Sequence, residues 1–343
     1  MKGNGFFATF FCTLLIFLLC VEGCGPGKES REEGGSKQTV QVGEECRSVA
    51  YAPFYAAMAK GYFEEEQLSL RLDTVEGRDG IKKGMQEGTY DIGLMGCDGC
   101  VEAFQEFGEK YPVVFALLTS RAEAVLLSRE ETTEFSWDML KNATVLVENI
   151  GMNEWSLRYI LEKMNMSDGS PDIRLQKNAE SLLEAFQRGE GDYAVVSSVL
   201  AGELVLSGQA YQVKALGEES GTVPGSSFCV ERNIMETHKE IPEGFSRALQ
   251  RGMDYVSEHS AEEIGETIAP YFPKTQKKEL ADMVRKYKEM DLWKKDLVFE
   301  KHEYGMLRNI LMDFGKMDAP VPYESLCDTE LVRKVIEKQE EEP

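Results

Sequence analysis

The stretch that decides the fold is residues 51–68, YAPFYAAMAKGYFEEEQL. Its first part is typical of a helix, because Pro53 suits the first turn and Gly61 suits the end. The segment that follows, Leu68-Ser-Leu-Arg-Leu72, alternates apolar and polar side chains as a half-buried strand does. A helix followed at once by a strand is the repeating unit of an α/β fold.

The same alternation continues on both sides of this stretch. Patterns typical of strands occur, with helical patterns between them, at 39–42, 90–95, 113–118, 144–149, 173–175 and 192–197. Strand–helix–strand order at this spacing implies mostly parallel sheets flanked by helices, and it occurs twice, so we expect two similar α/β lobes. Beyond Pro242 the pattern is helical, at 242–258, 260–269, 274–290, 300–315 and 328–340.

The composition disfavours several classes of function. The chain carries 60 Asp and Glu against 38 Lys and Arg, a net charge of −22. Nucleic-acid binding depends on cationic side chains that release counterions, so we expect no nucleic-acid partner. The histidines are far apart, and no dinucleotide, phosphate-loop, zinc-protease or serine-hydrolase motif is present. We therefore expect no metal site, no cofactor and no motif-marked enzyme.

The first residues are typical of an export signal. Lys2 precedes an uncharged, Phe- and Leu-rich run at 6–21, which is shorter than the roughly 20 residues of a membrane span. We expect a signal peptide at 1–23. Residues 24–37 hold many glycines and charges and nothing large and apolar, so we expect a flexible tether there.

A cysteine follows the expected signal. Gly23 before Cys24 resembles a bacterial lipobox, which predicts cleavage there and a lipid such as palmitate on Cys24. Glu22 departs from that motif, because a small uncharged residue usually occupies its position. Cys20 is the other candidate, but Leu19 before it is too large. An ordinary signal or an uncleaved anchor is the alternative interpretation.

Five segments together resemble one protein family. They are 51–68, Gly88-Thr-Tyr-Asp-Ile-Gly93, Leu140-Lys-Asn-Ala143, Gly189-Glu-Gly-Asp-Tyr-Ala194 and Pro270-Tyr-Phe-Pro273. Their order and spacing, over residues 39–335, are similar to those of substrate-binding lipoproteins of ABC importers. The branch in question handles nitrate, aliphatic sulfonates, taurine and thiamine-precursor pyrimidines. One segment departs from the family, which usually has Leu-Lys-Gly-Lys where this chain has Leu-Lys-Asn-Ala.

The resemblance implies the fold of a type II periplasmic binding protein, a two-lobed clamshell with a helical C-terminal part. Lobe one would comprise residues 38–128 plus 228–335, and lobe two residues 129–227. Two crossovers, near 128–134 and 221–227, would form a hinge that lets the cleft close on a ligand.

The resemblance also implies a function without catalysis. The chain would be a monomeric lipoprotein, anchored by its lipid to the outer face of a bacterial cell membrane. It would capture a small molecule and deliver it to an ABC permease with its ATPase. The alternative is an enzyme of pyrimidine-precursor biosynthesis with the same fold, but no histidine lies in the expected cleft. A membrane-bound sensor would need an output module, which we do not find.

In an open α/β sheet a ligand binds beyond the carboxyl ends of the strands, which selects five segments without help from the resemblance. The candidate ligand-binding residues in them are Tyr51, Phe54, Tyr55, Gly96, Cys97, Asp98, Thr119, Arg121, Asn149, Gly151, Met152, Asn153, Ser197 and Ser198. The three aromatic rings could stack on a flat heterocycle or belong to the core. Arg121 could pair with an anionic ligand or form a salt bridge with Glu123 or Glu102.

Cys97 and Cys100 form a CxxC pair at the expected start of a helix. Incidental thiols or a local disulfide are the first interpretation. A redox pair with a lowered thiol pKa is the second, and a thiol that lines the pocket is the third. The pair is also half of a zinc site, but no second half completes it.

Overall fold

The computed structural model describes residues 37–341, except 76, 109–110 and 167–168. The expected signal peptide, the expected lipid site Cys24 and nearly all of the tether lie outside the described residues. Within the described ranges, no helix combines the length and the apolar character that crossing a membrane requires.

The described residues form ten strands and fifteen α-helices. The strands are β1 Gln38–Glu44, β2 Leu68–Thr74, β3 Ile92–Gly96, β4 Pro112–Leu117, β5 Val125–Ser128, β6 Thr144–Glu148, β7 Asp172–Gln176, β8 Tyr193–Val196, β9 Tyr211–Ala215 and β10 Ser226–Glu231. The helices are α1 Ala52–Ala59, α2 Tyr62–Glu65, α3 Gly77–Gln86, α4 Cys97–Phe107, α5 Asn153–Lys163, α6 Ala179–Gln187, α7 Ser198–Leu206, α8 Leu216–Ser220, α9 Arg232–Thr237, α10 Glu240–Glu258, α11 Ala261–Ile268, α12 Lys277–Glu289, α13 Lys301–Asp313, α14 Tyr323–Leu326 and α15 Glu330–Glu341.

The strands form two five-stranded sheets with the same plan. The first has the order β2-β1-β3-β10-β4, and the second has the order β7-β6-β8-β5-β9. In the first sheet, β1 pairs in parallel with β2 and β3, while β10 runs antiparallel to β3 and β4. In the second, β6 pairs in parallel with β7 and β8, while β5 runs antiparallel to β8 and β9. The expected architecture of two mostly parallel sheets flanked by helices is confirmed.

The chain crosses between the sheets twice, at 118–124 and 221–225. Each crossing leads directly into the antiparallel strand of the sheet it enters, β5 in the second sheet and β10 in the first. The two crossings lie side by side, because the Val223 N–H donates to the Ser120 carbonyl at 2.9 Å and the Gly225 N–H donates to the Thr119 carbonyl at 3.1 Å.

The strand pairing corrects one expected boundary. The sequence analysis placed residues up to 128 in lobe one and the first crossover at 128–134. However, β5 pairs with β8 and β9, so 125–128 belong to the second lobe and the first crossing lies earlier. The reason is that β5 is a short apolar strand close behind β4, and its partners come much later in the chain.

Helix α1 fixes the core of the first lobe. The ring of Phe54 lies 5.2 Å from that of Phe228 and 6.0 Å from that of Phe245, so the helix is packed against both the sheet and α10. Where α1 crosses α10, the contact needs a glycine. A Cβ atom at Gly252 would overlap the carbonyl oxygen of Pro53 and would lie 2.9 Å from Ala57 Cβ.

We predict that Gly252→Ala destabilises the protein by about 1–3 kcal/mol, because the added methyl forces α1 and α10 apart. Gly305 in α13 is the matched control, since a Cβ there meets nothing within 4 Å. Gly305→Ala should leave stability unchanged or raise it by roughly 0.5–1 kcal/mol. Urea denaturation of the two variants measures both, and equal midpoints would contradict the close crossing.

Candidate functional site

The carboxyl ends of strands from both sheets meet at a small cavity between the lobes, which we call the seam cavity. Its volume is about 10 Å³, room for roughly one water molecule. It is lined by Glu45, Cys46, Ser48, Tyr51, Glu123, Ile150, Gly151, Asn153 and Ser197. These residues follow β1, β6 and β8 or lie in the first crossing, which is where the rule for α/β sheets locates ligands.

Glu45 reaches from the first lobe to the second. Its Oε1 accepts a hydrogen bond from the Gly96 N–H at 2.8 Å, and it also accepts one from the backbone of Gly151 in the second lobe. Its other carboxylate oxygen, Oε2, is buried and has no hydrogen-bond partner, while the residue as a whole is 2% exposed. Glu45, which lines the cavity, therefore keeps unused capacity to accept a hydrogen bond.

Two further carboxylates belong to the site. Glu123 Oε1 accepts hydrogen bonds from the Thr119 hydroxyl at 2.5 Å and from the Ser226 N–H at 3.2 Å. Glu148, buried at the end of β6, accepts a hydrogen bond from the Ser197 N–H at 2.9 Å. Thus Glu45 and Glu123 line the cavity, and Glu148 lies behind Ser197. None of their hydrogen-bond donors is a charged group.

Next to the cavity, a buried ion pair holds the lobes together. Arg78 of α3 donates to Asp98 of α4 in the first lobe, and it donates to the Gly151 carbonyl of the second lobe at 2.9 Å. The indole N–H of Trp155 in α5 also donates to Asp98, at 2.9 Å. Arg78 is thereby engaged by Asp98 and by the second lobe, and it does not line the seam cavity.

Burial raises the pKa of the three site carboxyls. Burial raises the pKa of Glu45 to about 7, an effect that Arg78 opposes and Asp98 increases. Burial also raises the pKa of Glu123 and of Glu148, and only hydrogen bonds from neutral groups oppose it there. The charged forms of these groups are therefore costly in the structure as it stands.

Four of the fourteen candidate residues line the seam cavity: Tyr51, Gly151, Asn153 and Ser197. Four others lie close behind it. Gly96 donates its N–H to Glu45, Asp98 and Asn149 accept from Arg78, and Thr119 donates to Glu123. Met152 is buried against the first lobe's core, and Ser198 lines a different cavity beside α12.

All three aromatic candidates are buried in the first lobe's core, and two of them do not line the cavity. Phe54 is packed among the phenylalanine rings of the first lobe, and Tyr55 is fully buried with its hydroxyl donating to Glu44 at 2.6 Å. Only Tyr51 of this group lines the cavity, so an aromatic wall of three rings does not form there. Arg121 is also remote from the cavity, and its guanidinium reaches the Gly217 carbonyl at 3.5 Å.

The cysteine pair forms no disulfide. Cys97 and Cys100 are both free and buried, in the first turns of α4. Burial raises the pKa of the Cys97 thiol well above its usual value, which is the opposite of what a reactive thiol needs. Neither sulfur lines the seam cavity. In the described part of the chain, no three side chains of the metal-binding types are placed to hold a metal ion.

The sequence analysis missed Glu45, Cys46, Ser48, Glu123 and Ile150. The first three follow β1 directly, so the rule for strand ends would have selected them if β1 had been extended to Glu44. Glu123 lies in a crossing, where no pattern of the sequence marks it.

Larger cavities lie elsewhere. One of about 420 Å³ is bounded by α10 and residues 291–295, within the first lobe. Another of about 250 Å³ lies between the second sheet and α12. We nevertheless take the seam cavity as the candidate site. Although it is smaller, strand ends of both lobes meet at it, and Glu45, whose Oε2 has no hydrogen-bond partner among the described residues, lines it.

The fold is that of the periplasmic binding proteins, and solved structures support this. The periplasmic nitrate-binding protein of Synechocystis PCC 6803 superposes with a TM-score of 0.72 at 12% identity, covering 88% of this chain and 89% of that one. The aliphatic sulphonate-binding protein of Escherichia coli superposes with a TM-score of 0.64 at 14% identity, covering 84% of this chain and 97% of that one. At identities this low, the similarity shows a shared fold and nothing about the ligand.

The sequence comparison defines the family. The NMT1/THI5-like family matches residues 48–263. The Bacillus subtilis (strain 168) protein named "Putative binding protein YtlA" is 30% identical over 331 residues, which cover 95% of this chain and 96% of that protein. The chain belongs to the NMT1/THI5-like family.

We predict that Glu45→Gln makes the protein more stable above pH 7. The folded-state pKa of Glu45, about 7, exceeds its ordinary value of 4.5, so its favourable neutral form contributes fully below pH 4.5. That contribution is lost as the pH rises through about 7. Glutamine stays neutral, so the variant should match the wild type at low pH and exceed it by up to about 3 kcal/mol at high pH.

Urea denaturation across this pH range measures the difference. Glu162→Gln removes an exposed carboxylate of α5 and serves as the control, with a pH profile parallel to that of the wild type. If the stability of Glu45→Gln and that of the wild type changed with pH in parallel, folding would not raise the pKa of Glu45, and the prediction would be wrong.

Proposed function

We propose that the chain is the extracytoplasmic solute-binding component of an ABC importer, which captures a small molecule and delivers it to a membrane permease. The observation that carries the proposal is the seam cavity, which is bounded by strand ends of two lobes joined by two crossings. A solute that contacts both lobes gains its full set of contacts only when they close on it. Such differential contact is what shifts an open–closed equilibrium and gives a permease a state to recognise.

A binding role fits the composition of the site better than catalysis. The lining offers carboxylates, hydroxyls, an amide and a backbone turn, and none of its nine residues is a histidine. Its one thiol, Cys46, has a pKa that burial raises well above the usual value. Of the solutes suggested by the family resemblance, nitrate, sulfonates and taurine would find no cationic side chain on this lining, whereas a pyrimidine with amino groups would find acceptors.

Equilibrium dialysis of the purified chain against a metabolite extract of its host tests this function. A binding protein should retain one compound, at no more than one equivalent, and release it chemically unchanged after heat denaturation. A host strain without the gene should also lose uptake of that compound. Conversion of a metabolite in excess of the protein would instead identify an enzyme and overturn the proposal.

Lipid attachment at Cys24 is part of the same proposal, since a solute-binding protein on the outer face of a membrane must stay near its permease. Labelling cells with a fatty-acid analogue should mark the wild type and Cys20→Ala, but not Cys24→Ala. The two cysteines make a matched pair because both follow the apolar run within a few residues. Equal labelling of Cys24→Ala would exclude this attachment site.

A further inference from the structure

We propose that the seam cavity selects a small organic cation with several N–H donors, of the ammonium, amidinium or guanidinium class. This proposal rests on the proposed binding function and names the chemical class of its solute. It differs from what the printed names of the structural neighbours describe, which are nitrate- and sulphonate-binding proteins.

The first argument is the sign of the charges at the cavity. Glu45 and Glu123 line it, Glu148 lies directly behind Ser197, and no Arg, Lys or His is among the lining residues. Arg78, a cation that acts on Glu45, does not line the cavity and is held by Asp98 and by the Gly151 carbonyl. An anion in the cavity would therefore meet carboxyl groups and no cationic side chain of the lining, whereas a cation would attract those carboxyls in their ionised form.

The second argument is an unpartnered acceptor. Glu45 is 2% exposed and borders the cavity, and its Oε2 accepts no hydrogen bond. A buried acceptor left unsatisfied lowers stability, and it does so more strongly when the group is charged. An N–H donor of a ligand in the cavity would satisfy it. A cationic donor would do so with a stronger, charge-assisted hydrogen bond.

The groups around each carboxylate agree with this assignment. Glu45 faces Arg78 and Asp98, Glu123 faces the hydroxyl of Thr119 and the backbone of Ser226, and Glu148 faces Ser197. Burial raises the pKa of all three carboxyls, so it disfavours their ionised forms. A bound cation would favour the ionised forms, and its binding would release protons and strengthen as the pH rises.

The donor set favours an organic cation over a metal ion. In the described ranges, no three carboxylate, thiol or imidazole side chains converge as metal coordination requires. The carboxyl groups of Glu45, Glu123 and Glu148 instead each accept hydrogen bonds from backbone or hydroxyl donors. A carboxylate can accept further hydrogen bonds, which suits a ligand with several N–H groups. The small volume of the closed cavity favours a ligand, or a ligand head group, of few atoms.

Three probes of one shape isolate the effect of charge. Guanidinium, urea and nitrate are all planar and three-armed, with charges of +1, 0 and −1. Calorimetric titration of the purified chain with guanidinium chloride, urea and sodium nitrate should give guanidinium the highest affinity, roughly tenfold or more above urea, with nitrate weakest. Guanidinium that binds no better than urea, including no binding by either, overturns the proposal, and so does a preference for nitrate or for a zinc or calcium salt.

Variants locate the effect at the cavity. Glu45→Gln and Glu123→Gln should each weaken guanidinium binding by roughly 10- to 100-fold, the loss expected for one charge-assisted hydrogen bond. Glu130→Gln, which removes an exposed carboxylate outside the cavity, should leave it unchanged. Glu45→Gln is expected to be more stable than the wild type, so its loss of binding would not reflect unfolding. Equal affinities for Glu45→Gln and Glu130→Gln would overturn the assignment.

The dialysis experiment separates failure of this inference from failure of the proposed function. The compound that the chain retains from the host extract should bind to a cation-exchange resin at neutral pH. A retained compound that is anionic or neutral would overturn the cation assignment and leave the binding function intact. Conversion of a metabolite would overturn the function itself.

Discussion

The structure depends on the pairing of its two chain crossings. The hydroxyl of Thr119 in the first crossing accepts a hydrogen bond from the Ser226 N–H at the end of the second, at 2.8 Å, and it donates one to Glu123. Each crossing also leads into the antiparallel strand of a sheet. That strand is β5 in the second sheet, between β8 and β9, and β10 in the first sheet, between β3 and β4. The first sheet is therefore completed only after the chain has passed through the second lobe and returned, because β10 follows β9, whereas the second sheet is built from the consecutive strands β5–β9. The paired crossings thus lie where the two lobes meet.

The seam combines favourable contacts with an electrostatic cost. Two buried hydrogen bonds join the lobes, one from Arg78 to the Gly151 carbonyl and one from Trp155 to Asp98. Beside these contacts, Glu45 and Glu123 line the small cavity and Glu148 lies behind Ser197, and the hydrogen-bond donors of all three are neutral groups. Buried carboxylates of this kind lower stability unless they are protonated or paired. Features that cost stability without a structural gain are typical of functional sites, because the missing partner is the ligand.

The fold and the ligand are separate questions for this protein. The backbone superposes on nitrate- and sulphonate-binding proteins with TM-scores of 0.72 and 0.64. A shared fold nevertheless leaves the chemistry of the site open, since a few side chains at the strand ends set it. Arg121, the cation that the sequence offered for an anionic ligand, reaches toward the Gly217 carbonyl instead of the seam cavity. The carboxyl groups of Glu45 and Glu123 line that cavity, and no Arg, Lys or His is among its lining residues.

The sequence by itself determined those features that depend on neighbouring residues. Pro53 and Gly61 marked the two ends of α1, and apolar periodicity located the C-terminal helices. The rule for strand ends identified four residues that line the cavity: Tyr51, Gly151, Asn153 and Ser197. Only the tertiary structure decided which sheet receives β5, because its partners β8 and β9 lie far along the chain and its own residues suit either sheet. It also decided that Phe54 belongs to the core, that Glu45 and Glu123 line one cavity and that Glu148 lies behind Ser197. These three residues come from distant segments of the chain, and the packing of one lobe against the other brings those segments to one place.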